Sequence, residues 1–523
     1  MPTPDTPDSP ANPGNTADSE SARLPPAELP EDADKPAPPL GAQGLDSALK
    51  RLRLLKNLSI RHVQDSAILD NLYMRSIETV EARLLSFSRM SLPIPQKPRQ
   101  LIRNVQDLLE TLAKLLLNPL AAKDDAPPAA ATDNISPLAL WRVLHLLSRH
   151  LFISSLTASP PGKGIWKQLH QTYGLARQQG ITYNVPEKAT RSLRDEYYAA
   201  ILLGCAQPTS FSGRDVFFLD RYLERFCEQV ETNIASPEEI PVTFWINPES
   251  DAPATPYSRK PPAPGTLVLN FSCRRLASLL ESQLNALETG TPPKWINLPS
   301  FAATASGLGV LNRLIHRWGK PGVRRLPRRS QNYRGELCLG FDKLRRLYGK
   351  AQEAVETSAW MITNESPDGY AVMHLSGKTQ AITVGDIAAL RTEHGDAWQL
   401  CIIRWALSEN QEHIELGLQI LASRAYAAEI ALPTQADADA EAEVDANANA
   451  DASHRRPTLL LPATPMLRKN EALVVRTGTL AGHSKNLVLV IERDNVEIRE
   501  ISGVQCDERN GLIELYEVTT AWN

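Results

Sequence analysis

Several ingredients are scarce in this chain. Aromatic residues make up only 6% of its 523 residues, too few and too scattered for the stacking platform that single-stranded nucleic acid requires. Its six cysteines, Cys205, Cys227, Cys273, Cys338, Cys401 and Cys506, are far apart and form no C-x-x-C pair. That spacing argues against a disulfide framework or a zinc site and fits reduced thiols buried as small apolar groups in a cytoplasmic protein. Long hydrophobic runs are missing too. The most apolar window, 137–156, contains Arg142, His145, Arg149 and His150, so it reads as a buried helix and not as a membrane span. The acidic, Pro-rich N-terminus has neither the basic patch nor the apolar run of a secretory signal.

Catalytic signatures are equally thin. There is no G-x-S-x-G elbow and no G-x-G-x-x-G opening a helix after a strand. SGKT at 376–379 ends like a Walker A loop but has Val372 where the pattern needs glycine. His145 and His150 stand five residues apart, whereas two zinc-binding histidines on one helix face stand four apart, and no acidic third ligand accompanies them. Neither an enzyme nor a metal site is expected.

What the chain has in excess is proline, 40 residues, and a charge distribution that its net −4 conceals. Residues 1–44 carry eight acids, two bases and eleven prolines, and 435–453 is an alanine-rich repeat with six acids and no base. Neither segment offers enough apolar surface to offset its ordering entropy, so both are expected to be disordered. Without them the balance is +8. The remaining body is basic.

From about 45 to 233 the hydrophobic period is helical: Leu101, Val105, Leu108, Leu112 and Leu115 recur at steps of three and four, as do Leu140, Leu144, Leu147 and Leu151. Trp166, Leu169 and Tyr173 give the opening of a tetratricopeptide repeat, but no 34-residue period follows. A helical interaction domain is the expectation. Beyond Ser236 short strands mix with a helix at 274–287, and beyond Arg334 strands dominate, both before and after the acidic insert. Many short strands separated by turn residues predict a small barrel or sandwich.

One stretch stands out electrostatically. From Arg313 to Arg334 there are eight cations, Arg313, Arg317, Lys320, Arg324, Arg325, Arg328, Arg329 and Arg334, and no acid. Pro321, Gly322 and Pro327 predict an irregular loop. Arginine outnumbers lysine here, and its planar fork binds phosphate bidentately, pairs with the guanine O6/N7 edge and stacks on a purine face. Arg324 with Arg328, and Arg325 with Arg329, each satisfy R-x-x-x-R. Downstream, Asn364 to Gly369 (NESPDG) satisfies [D/N]-x-S-x-x-G and runs straight into a strand, followed by LCIIRWA at 400–406 and ELGLQIL at 415–421.

Over about 320–425 this combination resembles the PilZ domain, a bacterial β-barrel that serves as a receptor for cyclic di-GMP. Joined to the helical and mixed patterns upstream, on which the resemblance is silent, it gives an α+β multidomain chain: an N-terminal α-helical domain, a mixed middle segment, and a C-terminal PilZ-like antiparallel β-barrel with additional β strands. It implies cyclic di-GMP as ligand, bound by Arg324, Arg325, Arg328, Arg329, Asn364, Ser366 and Gly369, with no metal. The chemistry agrees. Two phosphates and two guanines suit an arginine loop, Asn364 and Ser366 can hydrogen-bond a guanine edge, and Gly369 is expected to adopt a backbone conformation closed to other residues and to leave room for a flat base.

The arginine doublets leave two registers open, with the Arg325/Arg329 pair slightly favoured. Phe341, Leu344, Leu347, Ala351 and Val355 predict a helix inserted between the two motifs, and Trp360 and Trp405 read as core residues. The domain reading is a disordered tail 1–44, a helical domain 45–236, a mixed segment 237–312, a PilZ-like barrel 313–432, a disordered insert 433–456, and 457–523 as either a second barrel or the completion of the first. The expected function is a receptor that couples cyclic di-GMP to a helical domain facing an unidentified protein partner. Two alternatives stay open: a PilZ-like scaffold that has lost its ligand, and, against the thin aromatic content, nucleic-acid binding.

Overall fold

The computed structural model describes residues 66–117, 135–232, 234, 240, 242–321, 327–349, 354–410, 412–431, 455–464, 468–480, 485–492 and 495–519. The acidic tail, nearly all of the acidic insert, and Arg324 and Arg325 lie outside them.

Among the described residues, six helices build the N-terminal part: α1 (Ser66–Ser88), α2 (Gln96–Leu117), α3 (Pro137–Leu156), α4 (Ile165–Gln178), α5 (Leu193–Cys205) and α6 (Gly213–Phe226). Helix α3 is buried on almost every side, with its buried Arg142 paired to Asp70 and its buried Arg149 to Asp220 and Glu224. Its start is set by Pro137, which fits the first helical turn because no intrahelical N–H is lost there. Ser212 and Asp215 form a reciprocal capping box at the start of α6. Strands β1 (Glu231–Thr232), β2 (Thr243–Ile246), β3 (Thr255–Pro256) and β4 (Leu269–Ser272) make a small sheet in the order β1-β4-β2-β3. Helices α7 (Arg274–Glu288) and α8 (Ala305–Leu314) follow, and α8 runs into a π-helical turn at Ile315–Gly319.

Two closed six-stranded antiparallel barrels follow. The first joins β5 (Arg329–Leu339), β6 (Ser358–Ser366), β7 (Gly369–Ser376), β8 (Ile387–Thr392), β9 (Gln399–Ser408) and β10 (Ile414–Ala422) in the order β10-β7-β6-β5-β8-β9. The second joins β11 (Tyr426–Ala431), β12 (Arg455–Leu461), β13 (Ala472–Arg476), β14 (Lys485–Glu492), β15 (Val496–Arg509) and β16 (Ile513–Thr519) in the order β11-β12-β13-β16-β15-β14. The strands after the insert therefore form their own barrel, with β11 as a member, and β12 already begins at Arg455. The inserted helix is α9 (Phe341–Tyr348).

The basic segment is more regular than its prolines and glycine suggest. Arg313 lies on α8, Arg317 on the π turn, and Arg329 and Arg334 on β5. Strands β6, β8 and β11 were also not legible in the periodicity.

The first barrel sits between two partners. Its interior, with Leu337, Trp360, Ile362, Val372, Cys401, Ile403 and Leu416, is continuous with the core of the helical domain. The outward Cys338, Ile387, Ala389, Leu400 and Ile402 pack instead with α9 and with Leu459, Leu461, Val474 and Leu515 of the second barrel. Among the contacts that fix the helical side, the backbones of Leu92 and Ile382 bond reciprocally, and buried Arg99 donates to the Ser408 carbonyl (2.8 Å) and hydroxyl (2.7 Å) at the end of β9. Among the described residues no helix is long and apolar enough to cross a membrane.

Candidate functional site

Strands β6 and β7 are joined by the tight Pro367-Asp368 turn, with Ser366 paired to Gly369. This puts [D/N]-x-S-x-x-G at one end of the first barrel. Strand β5 begins there as well: Arg329 pairs with Glu365 and Ser330 with Asn364. The ladder thus brings Arg329 beside the motif although 34 residues lie between it and Asn364 in the sequence. Arg328 immediately precedes β5 and is exposed.

Cross-strand charge pairing is absent here. Glu365 accepts hydrogen bonds from the Tyr333 hydroxyl (3.0 Å) and the Gln331 amide (3.2 Å), and exposed Arg329 forms no ion pair with any described acid. The Glu365 carboxylate, after burial, pushes the Tyr333 phenol well above its usual range, so the tyrosine remains a donor. An unpaired guanidinium at the barrel rim is available for an anion.

Ser366 directs its hydroxyl inward to the turn, 2.7 Å from Asp368 Oδ1 and 3.1 Å from the Gly369 carbonyl. Its first role is to shape the turn. The Asn364 side chain makes no hydrogen bond to any described residue, so its amide is free to read a ligand edge. Gly369 departs from expectation: its φ is not in the left-handed region. The need for glycine comes from packing, because a Cβ there would collide with the carbonyl oxygen of Leu418 on β10.

Following register outward from Asn364 reveals residues the sequence reading did not select. Asn364 pairs with Ala371 on β7, Ala371 with Gly417 on β10, and Gly417 with Trp405 on β9. Alternation puts this row on the outer face, since the neighbouring Ile362, Val372 and Leu416 point inward. Trp405 is only partly buried, whereas Trp360 is wholly buried as expected. Its indole lies across Gly417, where a Cβ would overlap the five-membered ring. The row is therefore a shallow platform: an indole at one end, glycine and alanine in the middle, and a free carboxamide at the other end.

A second link runs from the motif to the other barrel. Gln419 pairs with Gly369 and accepts from Arg404 Nε at 2.6 Å. Arg404 then grips Glu508 of β15 with both terminal nitrogens, Nη2 to Oε2 at 2.8 Å. Among the described residues no group of three His, Cys, Asp or Glu side chains could hold a metal ion.

Comparison with known proteins follows the same division of the chain. A family model described as the N-terminal domain of the cyclic-di-GMP receptor FimW matches residues 37–237, and one described as the middle PilZ domain of that receptor matches 343–426. The chain belongs to the PilZ-domain cyclic-di-GMP receptor family. The curated "Cyclic-di-GMP receptor FimW" of Pseudomonas aeruginosa is 21% identical over 484 residues, 77% of each chain. Within the family's PilZ match fall Asn364, Ser366, Gly369, Trp405 and Gly417, and its end at 426 coincides with the start of β11. The arginines at 324–329 precede it.

Proposed function

We propose that this chain is a cytoplasmic receptor that binds cyclic di-GMP on the outer face of the first barrel and passes the event to its helical domain. The observation that carries the reading is the Asn364–Ala371–Gly417–Trp405 row at the rim where β5 begins, with unpaired Arg329 one register step away, opposite Glu365. A guanine laid on Ala371 and Gly417 would have its edge at Asn364 and its face against the Trp405 indole, while Arg328 and Arg329, with Arg324 and Arg325 ahead of them, take the phosphates. Stacking of this kind contributes about 1–3 kcal/mol per base, and each charge-assisted hydrogen bond about 1.5–3 kcal/mol.

No bond is made or broken. Clustered cations that repel one another without ligand are brought together by two phosphates, which orders the arginine segment. The helical domain is then the side that faces a protein partner, and the Arg99–Ser408 grip supports a direct link to β9, the strand that carries Trp405. The six cysteines are all unpaired thiols, which supports a reducing compartment.

Isothermal titration of the full chain with cyclic di-GMP tests the reading. Saturable heat is expected, with affinity reduced at least tenfold in Arg328→Ala/Arg329→Ala and in Asn364→Ala. Absence of heat from the native chain would leave the ligand-free scaffold as the better account.

A further inference from the structure

The basic segment contains more than the residues assigned to the cyclic di-GMP site. Arg313 and Arg317 lie upstream on α8 and its π turn, and both line a separate cavity of about 590 Å³ where the helical domain and the two barrels meet. Its walls are closely built. A Cβ at Gly309 of α8 would collide with the Arg509 carbonyl of β15, and one at Gly385 of the first barrel would collide with the Asn510 side chain, whose amide donates to the Gly385 carbonyl at 2.9 Å. The volume is that of a small-molecule site.

The charges in this cavity are unequally satisfied. Arg313 is held by Asp215 (3.1 Å) and the Ser210 carbonyl (2.7 Å). Arg404 is held by Glu508. Arg317 is half-buried and makes no hydrogen bond or ion pair with any described residue. Burial, and then the guanidiniums of Arg259, Arg313 and Arg404, lower its proton affinity. Glu288 and Asp507 also line the cavity, yet every neighbour whose charge acts appreciably on Arg317 is a cation. A guanidinium removed from water among like charges is costly unless an anion offsets it.

We infer that this junction cavity is a second ligand site, which takes a phosphate group of a nucleotide-sized molecule between Arg317 and Arg404, with Arg404 exchanging Glu508 for the phosphate. An inorganic phosphate alone would leave most of 590 Å³ unfilled, so the physiological ligand carries a larger polar body. Such a ligand touches all three parts of the molecule at once. It also replaces the ion pair that ties Arg404 of the first barrel to Glu508 of the second. The site is separate from the barrel-face motif, and either reading can fail without the other.

Inorganic pyrophosphate is the probe, titrated into the full chain by calorimetry and by thermal shift. Saturable binding is expected, weakened at least tenfold in Arg317→Gln, tightened severalfold in Glu508→Gln because Arg404 is freed, and retained in Arg328→Ala/Arg329→Ala, which removes the barrel-face phosphate contacts. Absence of saturation overturns the proposal. So does unchanged affinity in Arg317→Gln, or an Arg328→Ala/Arg329→Ala loss equal to it, which would put the ion at the barrel face. If Arg317→Gln does not fold, Glu508→Gln decides: affinity that fails to rise there overturns it equally.

Discussion

The indole of Trp405 lies across Gly417, the residue it pairs with on the neighbouring strand. A side chain at 417 would occupy the same space as the ring, and interior or half-buried overlap of this kind forces side chains from their preferred rotamers at a cost of about 1–3 kcal/mol. Gly417→Ala is therefore expected to move the indole, change the intrinsic tryptophan fluorescence, and weaken cyclic di-GMP at least fivefold. Trp405→Phe should retain most of the affinity and Trp405→Ala should lose about tenfold or more, as read by calorimetry. Equal affinity in the Phe and Ala variants would mean that the ring covers the strand without stacking on a ligand.

Gly369 is constrained by a different neighbour. Because the obstacle is the Leu418 backbone carbonyl, no rotamer change can relieve it, and the β7–β10 ladder itself must shift. Gly369→Ala is expected to destabilise the chain by about 1–3 kcal/mol in urea unfolding and to abolish ligand binding. Gly377, with φ of 94°, provides the contrast: its constraint is conformational, and Gly377→Ala should cost stability without changing ligand affinity.

These two glycines also mark what could and could not be read from the chain. The hexapeptide from Asn364 to Gly369 was legible because its chemistry is local: small and polar residues close a two-residue turn, and the turn needs no distant partner to be recognised. The row beyond it was not, because Ala371, Gly417 and Trp405 meet only through register across three strands. Trp405 sits in the apolar run LCIIRWA, where a tryptophan reads as core. What turns it outward is the irregularity in the β9–β10 pairing, where Gly417 pairs with Trp405 but Leu418 pairs with Ile403. The polar start of β5, RSQNYR, hid a strand for a related reason: its residues stand exposed or half-buried at the rim, and full burial begins only at Gly335. The barrel bounds 313–432 take in residues 426–431, yet these form β11 of the second barrel, and the insert merely lengthens the connection between β11 and β12.

Arg99 tests the link between the helical domain and the barrel. Its two hydrogen bonds to Ser408 are buried, and Ser159 also donates to the Ser408 carbonyl at 3.2 Å. Removing the guanidinium leaves the Ser408 hydroxyl with only its donation to the Asn410 carbonyl (3.1 Å) and takes a charged donor from its carbonyl, a loss of roughly 2–4 kcal/mol for charge-assisted buried bonds. Arg99→Ala is expected to lower the urea midpoint and to leave cyclic di-GMP affinity within about threefold. If β9 carries the signal, protection of the α2 amides against hydrogen exchange should rise on ligand addition in the native chain and stay flat in the variant. A ligand response in α2 that survives the substitution would show that the two domains communicate by another route.

The helical domain also holds a built-in acid sensitivity. His145 lies against Tyr73, 2.5 Å from its hydroxyl, and accepts from Arg149 Nε at 3.4 Å. Burial, reinforced by Arg149 and Arg191 and opposed by Glu196 and Glu81, lowers its pKa to about 4. Burial, opposed by Glu110, lowers His150 to about 4 as well. Both rings are neutral in the fold and titrate near 6.5 when unfolded, so their contribution is complete above about pH 6.5 and is lost as pH falls from there through 4. The ceiling on that contribution is about 3 kcal/mol per histidine. Tm should be level from pH 7 to 8 and fall progressively between pH 6.5 and 4, with a shallower fall in His150→Gln. The midpoint should not move with cyclic di-GMP beyond the mass-action increment of binding, because neither histidine approaches the barrel-face residues in the hydrogen-bond network. A native-chain Tm that rises on acidification over that window would show instead that Asp220, whose pKa burial raises to about 6, dominates the titration.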